Sequence, residues 1–142
     1  MKLVDANLLL YAYDLDSSYH APARGWLERT FSEPRAICFC WATLTVFIRI
    51  GTNPRAFRHP LSVGEALTIV SDWLAQPSAS ILNPGEQHWA IFSRLLKQGQ
   101  ASGPLVSDAH LAALAVEHGA LLCTTDADFS RFKEVEIFNP LE

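Results

Sequence analysis

Four aspartates carry the chemistry available to this sequence. Asp5 lies in "LVDANLLLYAYD", Asp108 in "VSDAHLAALAVEHGALLCTTDADF", and Asp126 and Asp128 at the end of that second stretch. From Ala109 to Thr125 the second stretch is core-like, with Leu111, Leu114, Val116, Leu121, Leu122 and several alanines. Acids therefore bracket an apolar helix and strand. Where such ends meet in space, the carboxylates repel by about 4 kcal/mol per pair at 4 Å and an effective dielectric of 20. A hard divalent ion such as Mg²⁺ or Mn²⁺, which takes oxygen ligands and retains waters, relieves that repulsion. Held by carboxylates, such an ion handles phosphate oxygens and activates water. Taken singly, Asp108 also suits a helix cap, and Asp126 and Asp128 suit turn positions.

The surrounding elements decide whether the acids meet. Lys2–Val4 is a short apolar strand ending at Asp5, followed by helical turns from Asn7 to Tyr13. A helix from about Ala21 to Phe31 and a strand at "AICF" come next. Cys40–Ile50 is apolar on nearly every face and reads as a buried helix. Ser62 and Glu65 have capping-box spacing for a helix to Trp73 or Ala75. "SASIL" is a strand, and Asn83–Glu86 repeats the capping pattern ahead of a helix to about Lys97. Ser107 or Asp108 opens the next helix and Gly119 closes it. "LLCT" and "VEIF" complete the strands. Short apolar strands alternating with helices predict an α/β fold, a parallel sheet covered on both faces. Ligand sites of such sheets lie at the carboxyl ends of the strands. Asp5 and Asp126 each follow a strand there, and Asp108 opens a helix that returns to that edge, so the three share one rim.

Composition narrows the remaining possibilities. A chain of 142 residues, 49% hydrophobic and 18% charged, forms one domain over 1–142 with a substantial core. Its net charge of −4 supplies no global field for nucleic acid. No run reaches the length of a membrane span, and the N-terminus lacks the form of a signal peptide, so a cytoplasmic protein is expected. Cys38, Cys40 and Cys123 have no metal-ligand spacing and read as buried thiols. Trp26, Phe31 and Trp41 suit either a partner-helix groove or an ordinary core.

With "TNPRAF" between them, the two acid-bearing stretches resemble the PIN-domain ribonucleases, especially the VapC-type toxins of bacterial toxin–antitoxin pairs. The resemblance spans the chain. It implies a Mg²⁺-dependent endoribonuclease acting on RNA, with a cognate antitoxin and a homodimer as partners. By position Asp5 and Asp108 become metal ligands, Asp126 the third acid, and Asp128 a neighbour acting through water or orientation. Asn7 and Thr125 match polar positions that fix carboxylate rotamers. Many PIN domains carry a glutamate where this chain has Val46 or Phe47, and no acid lies between Glu33 and Glu65. That departure motivates a second reading, a catalytically weak module binding RNA or a partner protein. A third, a phosphatase or receiver-like domain, lacks both the DxD pair and the lysine after "LLCT".

Arg49, Arg55 and Arg58, with His59, form the one basic cluster free of acids in sequence, suited to RNA phosphates. His110 lies about 200° around its helix from Asp108 and is expected to point away from the acids. His20, His88 and His118 read as surface residues.

Overall fold

Three strands of three residues each, "KLV", "ICF" and "LLC", are apolar on both faces and form the middle of the sheet. The computed structural model describes all residues, Met1–Glu142. In chain order the elements are β1 (Lys2–Val4), α1 (Ala6–Tyr11), α2 (His20–Phe31), β2 (Ile37–Phe39), α3 (Trp41–Gly51), α4 (Val63–Ala75), β3 (Ala79–Ile81), α5 (His88–Gln98), α6 (Leu105–His118), β4 (Leu121–Cys123) and β5 (Ile137–Phe138). A 3₁₀ turn, Ala127–Arg131, follows β4. The five strands are parallel in the order β3-β2-β1-β4-β5.

Alternation along the strands splits the core into two layers. Leu3, Cys38 and Leu122 face α5, α6 and the 3₁₀ turn. Val4, Ile37, Phe39 and Cys123 face α1 to α4, where Trp26, Phe47 and Trp73 complete the packing. Both faces are thus covered, as a parallel sheet requires. Strand order reverses at β1, which pairs with β2 on one side and β4 on the other. Open α/β sheets bind ligands at such a reversal.

Local signals set most helix ends. Ser62 and Glu65 form the full capping box of α4, each side chain bonded to the other's backbone. Gly119 ends α6 at φ 67°, a left-handed turn that glycine adopts without Cβ strain.

Three expectations are corrected. α3 is not buried all round, since Trp41 is 58% exposed and Ala42, Thr45 and Arg49 are also exposed. Its apolar composition misled because one side of the helix borders a cavity and solvent. Asn83–Glu86 do not cap α5, which starts at His88 without a side-chain cap. The Glu117 carboxylate, from α6, accepts hydrogen bonds from the Gly85 and Gln87 amides instead, at 2.8 and 2.9 Å. α6 begins at Leu105, so Asp108 lies within its first turn and is not its cap. Trp26 is a core residue and Trp41 is not.

Candidate active site

Asp5 is the first residue beyond β1, and its backbone N–H still bonds the Cys123 carbonyl at 2.9 Å. The sheet ladder therefore runs up to the site and fixes the main chain there. Its side chain caps α1, with Oδ1 accepting from the Ala6 amide at 2.7 Å. Oδ2 accepts from the Thr124 hydroxyl, also at 2.7 Å. That hydroxyl in turn accepts from the Asp126 amide at 3.0 Å and from Asn7 Nδ2 at 3.4 Å. One threonine thus ties the first acid to the turn carrying the third. The residue performing this role is Thr124, in place of the expected Thr125. β4 stops at Cys123, so Thr124 already stands in the turn, and a one-residue shift reverses the side a residue faces.

Asp126 is partly buried, and its Oδ1 accepts from the Asp128 amide at 2.9 Å, capping the 3₁₀ turn. Asp128 is exposed. Asp108 makes no hydrogen bond to either carboxylate oxygen, although it is only partly exposed. Burial, then repulsion from Asp126, Asp5 and Asp128, raise its pKa to about 6, with Arg131 opposing. The Asp5 carboxyl is raised as well, mainly by burial, against the Thr124 and Ala6 hydrogen bonds. The acids from β1, α6 and the β4 turn therefore feel one another.

A cavity of about 180 Å³ adjoins Asp5 and Asp108, with Ala42, Val46 and Leu111 forming an apolar wall. Val46 lines it, whereas Phe47 is fully buried in the core. Of the two residues expected at the family's glutamate position, Val46 is thus the one that borders the cavity.

Residues able to hold a cation supply oxygen donors. No three acidic, histidine or cysteine side chains stand ready as a coordination shell. Asp108 nevertheless has two unengaged oxygens, and Asn7 Oδ1 is a buried acceptor with no donor, beside Thr124. Repelling carboxylates and an orphaned amide oxygen match what hard divalent ions take.

His110 does not point away from the acids. The residue borders the same cavity, and its ring Nδ1 lies 3.1 Å from Nε2 of His88 on α5. Because α6 is buried around most of its circumference, an angle from Asp108 does not lead to solvent. Nor is His88 a surface residue: its side chain is 13% exposed, faces Glu117 and stacks on Phe92. His20 and His118 bond the carbonyls of Tyr11 and Asn83. Arg131 went unnoticed in the sequence because it lies in an irregular turn. It donates to the Gly99 carbonyl at 2.7 Å and supplies a positive charge that Asp108 feels.

Arg49, Arg55 and Arg58 are all exposed and none is ion-paired. Arg49 continues the helical stripe of Ala42 and Val46 away from the cavity. His59 is not part of a free cluster, because Asp16 meets it at 2.9 Å.

Comparisons with known proteins agree with this architecture. The PIN domain profile matches residues 2–135. Ribonuclease VapC37 of Mycobacterium tuberculosis is 44% identical over 140 residues, 99% of this chain and 97% of its own length. Ribonuclease VapC43 of the same species is 39% identical over 142 residues, 100% of this chain and 97% of its own. Among solved structures, VapBC-1 from nontypeable Haemophilus influenzae has a TM-score of 0.71 at 16% identity, covering 99% of this chain and 98% of that one.

Proposed function

The chain belongs to the PIN-domain family, and from that premise we propose that it is a metal-dependent endoribonuclease. The observation that carries this reading is the convergence of three acids at the sheet's reversal point, where Asp5 and Asp108 border one cavity and Thr124 ties Asp5 to the Asp126 turn. Relatives named ribonucleases, matching nearly end to end, support RNA as the substrate.

Asp5, Asp108 and Asp126 would hold Mg²⁺ or Mn²⁺, with Asp128, whose charge Asp108 feels, acting through water. A bound divalent ion supplies Lewis acidity toward a phosphate oxygen and a more acidic water. The chain's own contribution is placement. The Thr124 hydroxyl and Ala6 amide hold the Asp5 carboxylate in one rotamer, leaving its remaining lone pairs available. The wall of Ala42, Val46 and Leu111 limits the water around the scissile phosphate. Arg49 on α3, with Arg55 and Arg58 exposed in the loop that follows it, would supply phosphate contacts for an RNA strand. Hydrolysis adds one water across the P–O bond and leaves two RNA ends.

The biological role that follows is the toxin of a type II toxin–antitoxin pair, held in check by a cognate antitoxin in the cytoplasm and working as a homodimer. The similarity to VapC proteins and to a VapBC complex supports it. No helix is long and apolar enough to cross a membrane.

Val46 at the cavity favours a second reading, a module that binds RNA or a partner protein but cuts weakly. Incubating the purified protein with total RNA and sequencing the new ends separates the two. Discrete cuts with Mg²⁺ or Mn²⁺, lost with EDTA and with a folded Asp5→Asn variant, are expected. Equal cutting by that variant would remove the acid site from the mechanism, and RNA binding without cutting would favour the second reading.

A further inference from the structure

His110 is the one cavity-lining residue with a ring nitrogen, and a chain of contacts favours one of its two nitrogens as the free one. Glu117 is anchored by the Gly85 and Gln87 amides, so its carboxylate is a stationary anion on α6. Nδ1 of His88 faces it, with Oε1 at 4.0 Å, and has no other partner. That distance exceeds a hydrogen bond, yet an N–H is favoured there over a lone pair aimed at a negative charge. With its proton on Nδ1, neutral His88 presents Nε2 as an acceptor. The contact of 3.1 Å to His110 Nδ1 then requires His110 to donate. The remaining nitrogen of His110, Nε2, is left as an acceptor on a residue that borders the cavity beside Asp5 and Asp108. Phe92 holds the ring edge-on, at 6.0 Å between centroids.

We propose that His110 reads the sugar of the substrate, accepting a hydrogen bond from a ribose 2′-hydroxyl next to the scissile phosphate. His88 is the positioning residue that sets its tautomer. This rests on the nuclease reading above and deepens it, since neither carboxylates nor arginines distinguish RNA from DNA. Among the groups on a nucleotide sugar, the 2′-hydroxyl is what separates the two polymers, and it can donate. The aromatic neighbours of His110, Phe92 and then Trp89, which is 74% exposed, continue outward from that position.

The test uses a labelled oligoribonucleotide carrying a cut site mapped by RNA-end sequencing. Matched versions carry a single 2′-deoxy or 2′-fluoro nucleotide on either side of the cut. For the wild type, one of these positions should lower kcat/KM about tenfold, the size of one hydrogen bond. The 2′-fluoro group cannot donate and should behave like 2′-deoxy. His110→Phe keeps an aromatic ring against Phe92 and should lower all-ribose cleavage by the same factor, with no further loss on the deoxy substrate. His88→Leu should lose the discrimination, while His88→Gln, which can still accept from His110, should retain it. A second arm compares binding of mixed-sequence ribose and deoxyribose 12-mers by anisotropy without divalent ion. The wild type should prefer ribose, and His110→Phe should not. Multiplying losses in the variant and the deoxy substrate, or no 2′ effect at either position, would overturn the proposal. Should the wild type cut no RNA, the nuclease reading falls, and the binding arm alone decides this one.

Discussion

Asp108 offers the most direct measurement of the site, because nothing in the protein neutralises it by a hydrogen bond. Its folded pKa, about 6, lies above the ordinary value of 3.8. Between these values the folded state binds more protons than the unfolded state, so this group's contribution to stability falls as pH rises from about 4 to 6. Glu65, Glu117 and Glu134 have lowered pKa values and act in the opposite sense, their contribution being lost only as pH drops below about 4.5. Asp5, also raised, acts in the same sense as Asp108 between pH 4.5 and 6, and His110, lowered from 6.5, acts against them, so the difference between wild type and Asp108→Asn isolates Asp108 there. Relative to that variant, the metal-free wild type should lose on the order of 1 kcal/mol across this range, after allowance for solvent screening. Asp108→Asn should flatten that slope in urea titrations and be at least as stable as the wild type without metal. The same variant should gain less from Mn²⁺. A destabilised metal-free variant with an unchanged Mn²⁺ response would make Asp108 structural. Thr124→Val tests the orienting hydroxyl: cleavage should drop roughly 10–100-fold, and Thr124→Ser should recover most of it. Parallel melting curves separate that loss from unfolding.

At the scale of elements, α3 both lines the cavity and carries the first arginine. Replacing Arg55 and Arg58 with alanine should weaken RNA binding and reduce the slope of log K against log salt by up to roughly 1–2. The Mn²⁺ response should stay unchanged; an identical salt slope would return both residues to a solvated loop. The sequence revealed elements better than it revealed their faces. Lys2–Val4, the Ser62–Glu65 box and the Gly119 stop are set by local chemistry and were legible. The acids were legible too, because each adjoins an apolar strand or helix and the carboxyl-edge rule needs only the order of elements. Thr124 was missed by one position, since nothing local says where a three-residue strand stops. His110 and His88 were missed for a different reason. Their contact depends on how α5 crosses α6, and periodicity along either helix carries no information about crossing. The Glu117 clamp on residues 85–87 is likewise tertiary, with 30 and 32 positions separating the bonded groups.

For the molecule as a whole, the proposed metal site would couple ion binding to folding. Mg²⁺ or Mn²⁺ binding only the folded arrangement should raise stability by about 2.7 kcal/mol at 100 times Kd. For a chain of this size that is roughly 2–4 °C in melting temperature per kcal/mol. Calorimetry across a metal series tests this, and a flat melting temperature would mean that the folded acids bind no ion. One further consequence lies in the order of the strands. The hydroxyl that orients Asp5 comes from Thr124, 119 positions later. During synthesis the first strand emerges from the ribosome long before its central neighbour β4, whose turn completes the acid cluster. Until that C-terminal stretch has left the exit tunnel, a nascent chain has its first carboxylate but no catalytic assembly. On the nuclease reading proposed above, the chain would therefore stay inactive while its C-terminal stretch is still in the tunnel, a delay written into topology.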